Sequence, residues 1–153
     1  MIYRFKGLDS QKFAPLFALS GDELAAHGFA RMTVDEKPGF PCRISLADAE
    51  PGEAVLLVNF EHQPAHTPYR ASGPIFVREN ADAFDGTEVP PALRVRLLSL
   101  RAYDRAGMMV DADVVEGCEI ETLLERLFAR DDTDYVHAHY AKRGCFAARV
   151  ERG

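Results

Sequence analysis

The chain has 153 residues, of which 47% are apolar and 27% are charged, and its formal net charge is −6. This composition excludes an intrinsically disordered chain and predicts a single domain over residues 1–153, with a core that needs no disulfide or metal. The negative charge argues against nucleic acid and anionic membranes as partners, because both attract positive surfaces.

The first half of the chain predicts short strands and one short helix. Ser20 is the expected N-cap of a two-turn helix that ends at His27-Gly28, with glycine just beyond the last turn. A run of small apolar and β-branched residues over 54–60 is typical of a central strand. Alternating or apolar patterns predict strands over residues 2–8, 29–34, 42–46, 54–60 and 74–77.

The second half predicts a hairpin, a longer helix and two final strands. Pro90-Pro91 is expected to bar a helix and to start a strand over 93–103, which turns at Gly107 into a strand over 108–115. Apolar residues at helical spacing predict a helix over 120–130. The last strands are expected at 135–141 and 145–150.

About eight short strands and two helices, joined by hairpin turns rather than by regular βαβ alternation, predict an α+β fold. We expect one mostly antiparallel sheet that is strongly curled or forms a partly open barrel.

Three cysteines, Cys42, Cys118 and Cys145, are widely spaced and form no CxxC or zinc-finger pattern. The N-terminus lacks the apolar segment of a signal peptide, and the longest apolar run, residues 54–58, is far shorter than the roughly 20 residues that cross a bilayer. We therefore expect a soluble, cytoplasmic protein with reduced thiols.

Four of the five histidines form two pairs, and these pairs are the candidate metal ligands. His62 and His66 flank Pro64, whereas His137 and His139 are two apart on a predicted strand and so project from the same face. If the pairs meet, they have the chemistry to bind a divalent metal. The alternative is that these are surface or hydrogen-bonded histidines without a metal.

Two cysteines are candidate nucleophiles. Cys42 precedes Arg43, whose charge favours a nearby thiolate, and Cys145 follows a strand that carries two histidines. The alternative is that both thiols are buried and inert at the starts of apolar strands.

Arginine and tyrosine side chains near strand ends are typical of sites that hold a carboxylate, phosphate or sugar ring. Arg101 and Tyr103 share one face of their predicted strand; alternatively, Arg101 only pairs with Asp104 or Asp134. The complete candidate ligand-binding set is Arg43, His62, Tyr69, Arg70, Arg101, Tyr103 and Arg143.

The motifs Pro41-Cys42-Arg43, Gly73-Pro74-Ile75-Phe76-Val77, Arg101-Ala102-Tyr103-Asp104 and Gly144-Cys145-Phe146-Ala147 occur in that order. With them the chain resembles a family of small bacterial proteins of about this length that is described only as a domain of unknown function. The resemblance covers nearly the whole chain and implies a single-domain cytoplasmic bacterial protein. It assigns no activity, cofactor or catalytic residue.

Three functional hypotheses follow from the sequence. The first is a domain that binds a small polar or anionic ligand, and the second is a metal-dependent enzyme that uses the histidine cluster. The third is a non-enzymatic interaction module or homodimer, because unpaired edge strands can associate. The chain has no GxSxG, GxxxxGK[ST] or GxGxxG motif to indicate a hydrolase triad, a P-loop or a dinucleotide site.

Overall fold

The computed structural model describes residues 2–153, and within them it contains nine strands and four α-helices. The strands are β1 (Tyr3–Lys6), β2 (Ala30–Thr33), β3 (Ala54–Gln63), β4 (Ala71–Arg78), β5 (Asp85–Gly86), β6 (Leu97–Tyr103), β7 (Met109–Glu116), β8 (Tyr135–Tyr140) and β9 (Phe146–Arg152). The helices are α1 (Ala14–Phe17), α2 (Gly21–Ala26), α3 (Pro91–Arg94) and α4 (Ile120–Phe128).

The strands form two separate antiparallel sheets. One sheet has six strands in the order β5-β1-β9-β8-β6-β7, and the other has three in the order β2-β3-β4. The predicted α+β class and the antiparallel pairing are confirmed. The expectation of about eight strands in one strongly curled sheet or partly open barrel is wrong, because the nine strands form two separate sheets and neither described sheet closes on itself.

One face of the six-stranded sheet packs against α4 and forms the larger core. Side chains alternate across a strand, so Leu98, Leu100 and Ala102 of β6 lie on the same face as Val136 and Ala138 of β8. All five are buried together with the apolar stripe of α4. The opposite face of β6 and β8 is therefore not needed for this core and is free to carry polar side chains.

The three-stranded sheet has its own buried cluster, which includes Leu56 and Val58 of β3 and Ile75 of β4. Leu24 of α2 packs into this cluster. The Ser20 side chain caps α2 as predicted, and the carboxylate of Glu23 reciprocates by accepting from the Ser20 backbone amide.

Two segments differ from the predicted strands. Residues 42–46 form a turn, in which the Leu46 amide donates to the Cys42 carbonyl. The apolar residues that suggested a strand are instead buried in a compact loop. Pro91 begins helix α3 because proline at the first helical position loses no hydrogen bond, and β6 therefore starts only at Leu97.

A third difference from the predicted strands determines where His62 lies. β3 continues to Gln63, so His62 lies on a strand and not on the loop that the sequence predicts. The pairing of β3 with β4 is irregular between Phe60 and Gln63, where a bulge turns the strand end. None of the helices in residues 2–153 has both the length and the apolar character to cross a membrane.

Candidate metal centre

Strand β8 carries two histidines on the face that points away from α4. His137 lies opposite Arg101 of β6 and Arg149 of β9, and His139 lies opposite Ser99 of β6. Because Val136 and Ala138 alternate with the histidines and face α4, the pattern of β8 assigns one face to the core and the other to polar chemistry.

His62 reaches the same place from the other sheet. Its ring centroid lies 5.1 Å from that of His139 and 6.4 Å from that of His137. The ring of Phe146, at the start of β9, stacks on His62 with a centroid distance of 5.4 Å and also contacts both histidines of β8. The bulge at the end of β3 and the ring of Phe146 thus place three imidazoles together.

The three imidazoles each offer one nitrogen, and these nitrogens lie within 4.8 Å of one another. His137 is 3% exposed and His139 is 1% exposed, whereas His62 is half-buried. The Nδ1 atoms of His62 and His137 and the Nε2 atom of His139 are buried without a hydrogen-bond partner among the described residues. Unpaired buried polar atoms are costly, so three in one cluster form a candidate set of metal ligands.

The backbone determines which nitrogen of His139 is protonated. Its Nδ1 atom lies 3.0 Å from the carbonyl oxygen of Gly144. A carbonyl oxygen only accepts, so Nδ1 carries the proton and Nε2 keeps a free lone pair. A carbonyl that orients the other nitrogen of a ligating histidine in this way is the usual second partner at metal centres.

Burial keeps the imidazoles neutral. It lowers the pKa of His137 to about 3 and that of His139 to about 4, and it also lowers the pKa of His62. The positive charge of Arg101 contributes to all three reductions. Neutral imidazole is the form that binds a metal, so the cluster is ready to act as a ligand at neutral pH.

The cluster matches a zinc ion with three histidine ligands. Zinc–nitrogen distances of about 2.0–2.1 Å with tetrahedral angles place ligand nitrogens roughly 3.3 Å apart. Small side-chain rotations therefore close the gap from the observed separations, which are at most 4.8 Å. No carboxylate or thiol of residues 2–153 belongs to the group, so one position of a tetrahedral ion stays open.

The structure separates the two members of the first predicted pair. His66 is exposed and lies outside the cluster, whereas His62 is inside it. Glu61, the neighbour of His62 in sequence, is exposed and forms an ion pair with Arg70 at 3.0 Å. Neither of these two candidate residues, His66 and Arg70, therefore belongs to the cluster of three imidazoles.

Arg101 and Tyr103 do lie beside the histidines. Arg101 pairs with neither Asp104 nor Asp134, and its only hydrogen bond among the described residues is to Ser99 Oγ at 3.4 Å. The Tyr103 ring lies 5.1 Å from that of His137. Part of the predicted arginine–tyrosine group is thus next to the candidate metal centre.

Tyr69 is exposed, and its ring lies 6.3 Å from that of Tyr103, which in turn lies beside His137. Arg143 is exposed in the turn between β8 and β9. Arg43 is 2% exposed and donates to the carbonyl oxygens of Pro41 and Phe146. These buried hydrogen bonds to the backbone give it a structural role.

The two candidate thiols differ in access. Cys42 is fully buried, and its sulfur accepts a hydrogen bond from the Arg78 amide at 3.4 Å. Cys145 is partly exposed, and its sulfur lies 3.1 Å from an Arg43 nitrogen. Arg43, which follows Cys42 in sequence, thus contacts the other cysteine.

Sequence reasoning missed Phe146 and Gln63. Gln63 is buried and donates to the hydroxyl of Tyr135 at 2.9 Å, and Tyr135 stacks on Tyr103. Alternation within β8 places Tyr135 on the histidine face and offers a signal for that residue. Phe146 lies beside a bulge in the pairing of β8 with β9, so no simple alternation identifies it.

Most of the chain matches the model of one protein family. A model described as "Protein of unknown function (DUF1203)" matches residues 39–152. The chain belongs to this family. The matched range contains His62, His137 and His139. Neither the curated proteins nor the solved structures provided a match.

Proposed function

We propose that this DUF1203 protein is a metal-dependent enzyme that binds one divalent transition ion through His62, His137 and His139. The observation that carries the proposal is a set of three mutually close imidazoles, two buried and one half-buried, each with a buried nitrogen that has no partner among the described residues. This proposal follows the metal hypothesis of the sequence analysis. It keeps His62, His137 and His139 as ligands and leaves out His66.

Zinc is the ion that fits best. Three neutral nitrogen ligands with one open position are the arrangement of catalytic zinc, whereas structural zinc sites are closed by four protein ligands. A zinc ion there would supply Lewis-acid chemistry at its open position. Cobalt(II), nickel(II) and copper(II) share the preference for imidazole, so they serve as probes of the same site.

A metal-free pocket for a small polar molecule is the rival function, and the contacts favour it less. Arg43 and Arg70 from the proposed ligand-binding set have their donors engaged by backbone carbonyls and by Glu61. If the protein binds a small polar ligand, we expect that ligand to bind at the open position of the metal rather than in a metal-free pocket. The two leading sequence hypotheses then describe one site.

The test is metal binding by the purified protein after chelator treatment. We expect one zinc per chain by elemental analysis after reloading. We also expect at least a tenfold loss of zinc affinity by isothermal titration calorimetry when His62, His137 or His139 is changed singly to Gln. The His66→Gln variant is the matched control and should bind zinc like the parent, because His66 lies outside the cluster.

Thermal unfolding distinguishes ligand loss from misfolding. Zinc at a hundred times its Kd should stabilise the parent and the His66→Gln control by about 2.7 kcal/mol, and the three ligand variants much less. Circular dichroism should show that the variants are folded. Folded parent protein that fails to bind any of zinc, cobalt(II), nickel(II) or copper(II) stoichiometrically would refute the proposal.

A further inference from the structure

Arg101 differs from the other arginines in its partners. Of the 14 arginines, 12 form an ion pair with a carboxylate or donate to a backbone carbonyl oxygen. The two exceptions in the described chain are Arg101 and Arg143. Arg143 is exposed to solvent, whereas Arg101 is partly buried. A partly buried guanidinium without an anion is costly, so its position requires an explanation.

The strand register places Arg101 beside the histidines. Arg101 lies directly opposite His137 in the β6–β8 pair, and Ser99 lies opposite His139, so all four side chains project from one face. The Ser99 hydroxyl is the single hydrogen-bond partner of the guanidinium within residues 2–153. The remaining N–H groups of Arg101 face the same side of the sheet as the imidazoles.

Within residues 2–153, no carboxylate pairs with Arg101. Glu61 pairs with Arg70, and Glu151 pairs with Arg149, the second arginine opposite His137. A divalent ion held by neutral imidazoles would therefore add two positive charges next to Arg101. Such a group of cations in a partly buried site requires an anion from solution.

We propose that the occupied centre takes a small carboxylate, with one carboxylate oxygen at the open metal position and the other accepting from the guanidinium of Arg101. This inference rests on the proposed metal centre and names the class of its substrate. The planar guanidinium offers paired donors that match a carboxylate, and the strand register places Arg101 directly opposite the proposed ligand His137. Ser99 orients the guanidinium.

The test uses cobalt(II)-loaded protein, whose visible absorption reports changes at the metal, and acetate as the probe. We expect saturable spectral changes on titration with acetate. The Arg101→Gln variant should bind acetate at least tenfold more weakly, while its cobalt(II) affinity stays within threefold or increases, because a neighbouring positive charge is lost. Arg101→Lys should recover only part of the acetate affinity, because an ammonium lacks the paired donors.

The Arg105→Gln variant is the charge-matched control. The Arg105 side chain is 93% exposed and pairs with Asp134, away from the histidines, so its loss should leave acetate binding unchanged. Inorganic phosphate and chloride are titrated in parallel, and binding of either more tightly than acetate would overturn the assignment to carboxylates.

The two proposals fail in different ways. Equal acetate affinity of the parent and Arg101→Gln, with cobalt(II) bound in both, would overturn the carboxylate inference alone. Absence of a cobalt(II) spectrum and of zinc binding in the folded parent would overturn the metal centre and the inference with it.

Discussion

The carbonyl oxygen of Gly144 accepts the Nδ1 proton of His139 at 3.0 Å, and Gly144 has a left-handed backbone with φ of +79°. The conformation of one glycine in the β8–β9 turn thus determines which nitrogen of His139 keeps its lone pair. A side chain at this position has space but is strained by the positive φ.

We expect Gly144→Ala to lower the free energy of unfolding by about 1–2 kcal/mol and zinc affinity several-fold, because the turn must shift to relieve the strain. Gly28→Ala is the matched control, with φ of +77° and open space at the Cβ position beyond α2. It should lose similar stability with unchanged zinc affinity. Equal zinc affinity in both variants would contradict the role of the turn.

Arg43 supports the start of β9 from inside the protein. Its Nε donates to the Phe146 carbonyl at 2.7 Å, a second nitrogen donates to Pro41, and its guanidinium lies over the Tyr140 ring. We expect Arg43→Met to lower the free energy of unfolding by about 2–4 kcal/mol, because buried carbonyls lose their donors. Urea denaturation measures this change.

Arg31→Met is the comparison for Arg43. Arg31 also donates to two backbone carbonyl oxygens, those of Phe17 and Leu19, but it is exposed. Water replaces its hydrogen bonds, so we expect a loss below about 0.5–1 kcal/mol. Similar losses in the two variants would show that burial of Arg43 is not the cause.

The buried histidines predict acid sensitivity of the metal-free protein. Folding lowers the pKa of His137 to about 3 and that of His139 to about 4 from an ordinary value of 6.5. The unfolded chain therefore binds more protons below pH 6.5. Stability is complete above that pH and is lost as the pH falls towards 4 and then 3, with a slope of up to about 1.4 kcal/mol per pH unit for each histidine.

Urea denaturation in the presence of a chelator, measured between pH 7 and pH 4.5, checks this slope. The His137→Gln variant should show a clearly smaller slope than the parent, because the buried imidazole is removed. A parent protein whose stability is constant across this range would show that the two imidazoles are not buried in neutral form.

Thiol accessibility gives an independent check of the fold. Cys118 is exposed, Cys145 is partly exposed and Cys42 is fully buried. We expect alkylation of native protein, followed by peptide mass spectrometry, to modify Cys118 rapidly and Cys42 only after unfolding. In urea all three should react alike. Rapid native modification of Cys42 would contradict its place in the core.

Local patterns predicted much of the fold and part of the site. Helical spacing identified α4, glycine in the turn identified the β6–β7 hairpin, and alternation placed His137 and His139 on one face. These features depend on residues close in sequence. The Ser20 cap of α2 was identified in the same way.

Long-range pairing limited the remaining predictions. Division into two sheets depends on which strands pair, and no local pattern encodes that choice. Selection of His62 over His66 depends on the bulge between Phe60 and Gln63, which a sequence of alternating residues does not reveal. Arg101 was recognised as a candidate, but its lack of an anionic partner became visible only from its neighbours in space.

All six residues of β8 are buried, with core side chains and histidines in alternate positions. Loss or gain of one residue within this strand would reverse its two faces and place imidazoles against the aliphatic side of α4. Such a protein would lose its core and its candidate centre in the same event. An intact core in this protein therefore fixes the orientation of the two β8 histidines, whereas the positions of His62 and Arg101 depend on other strands.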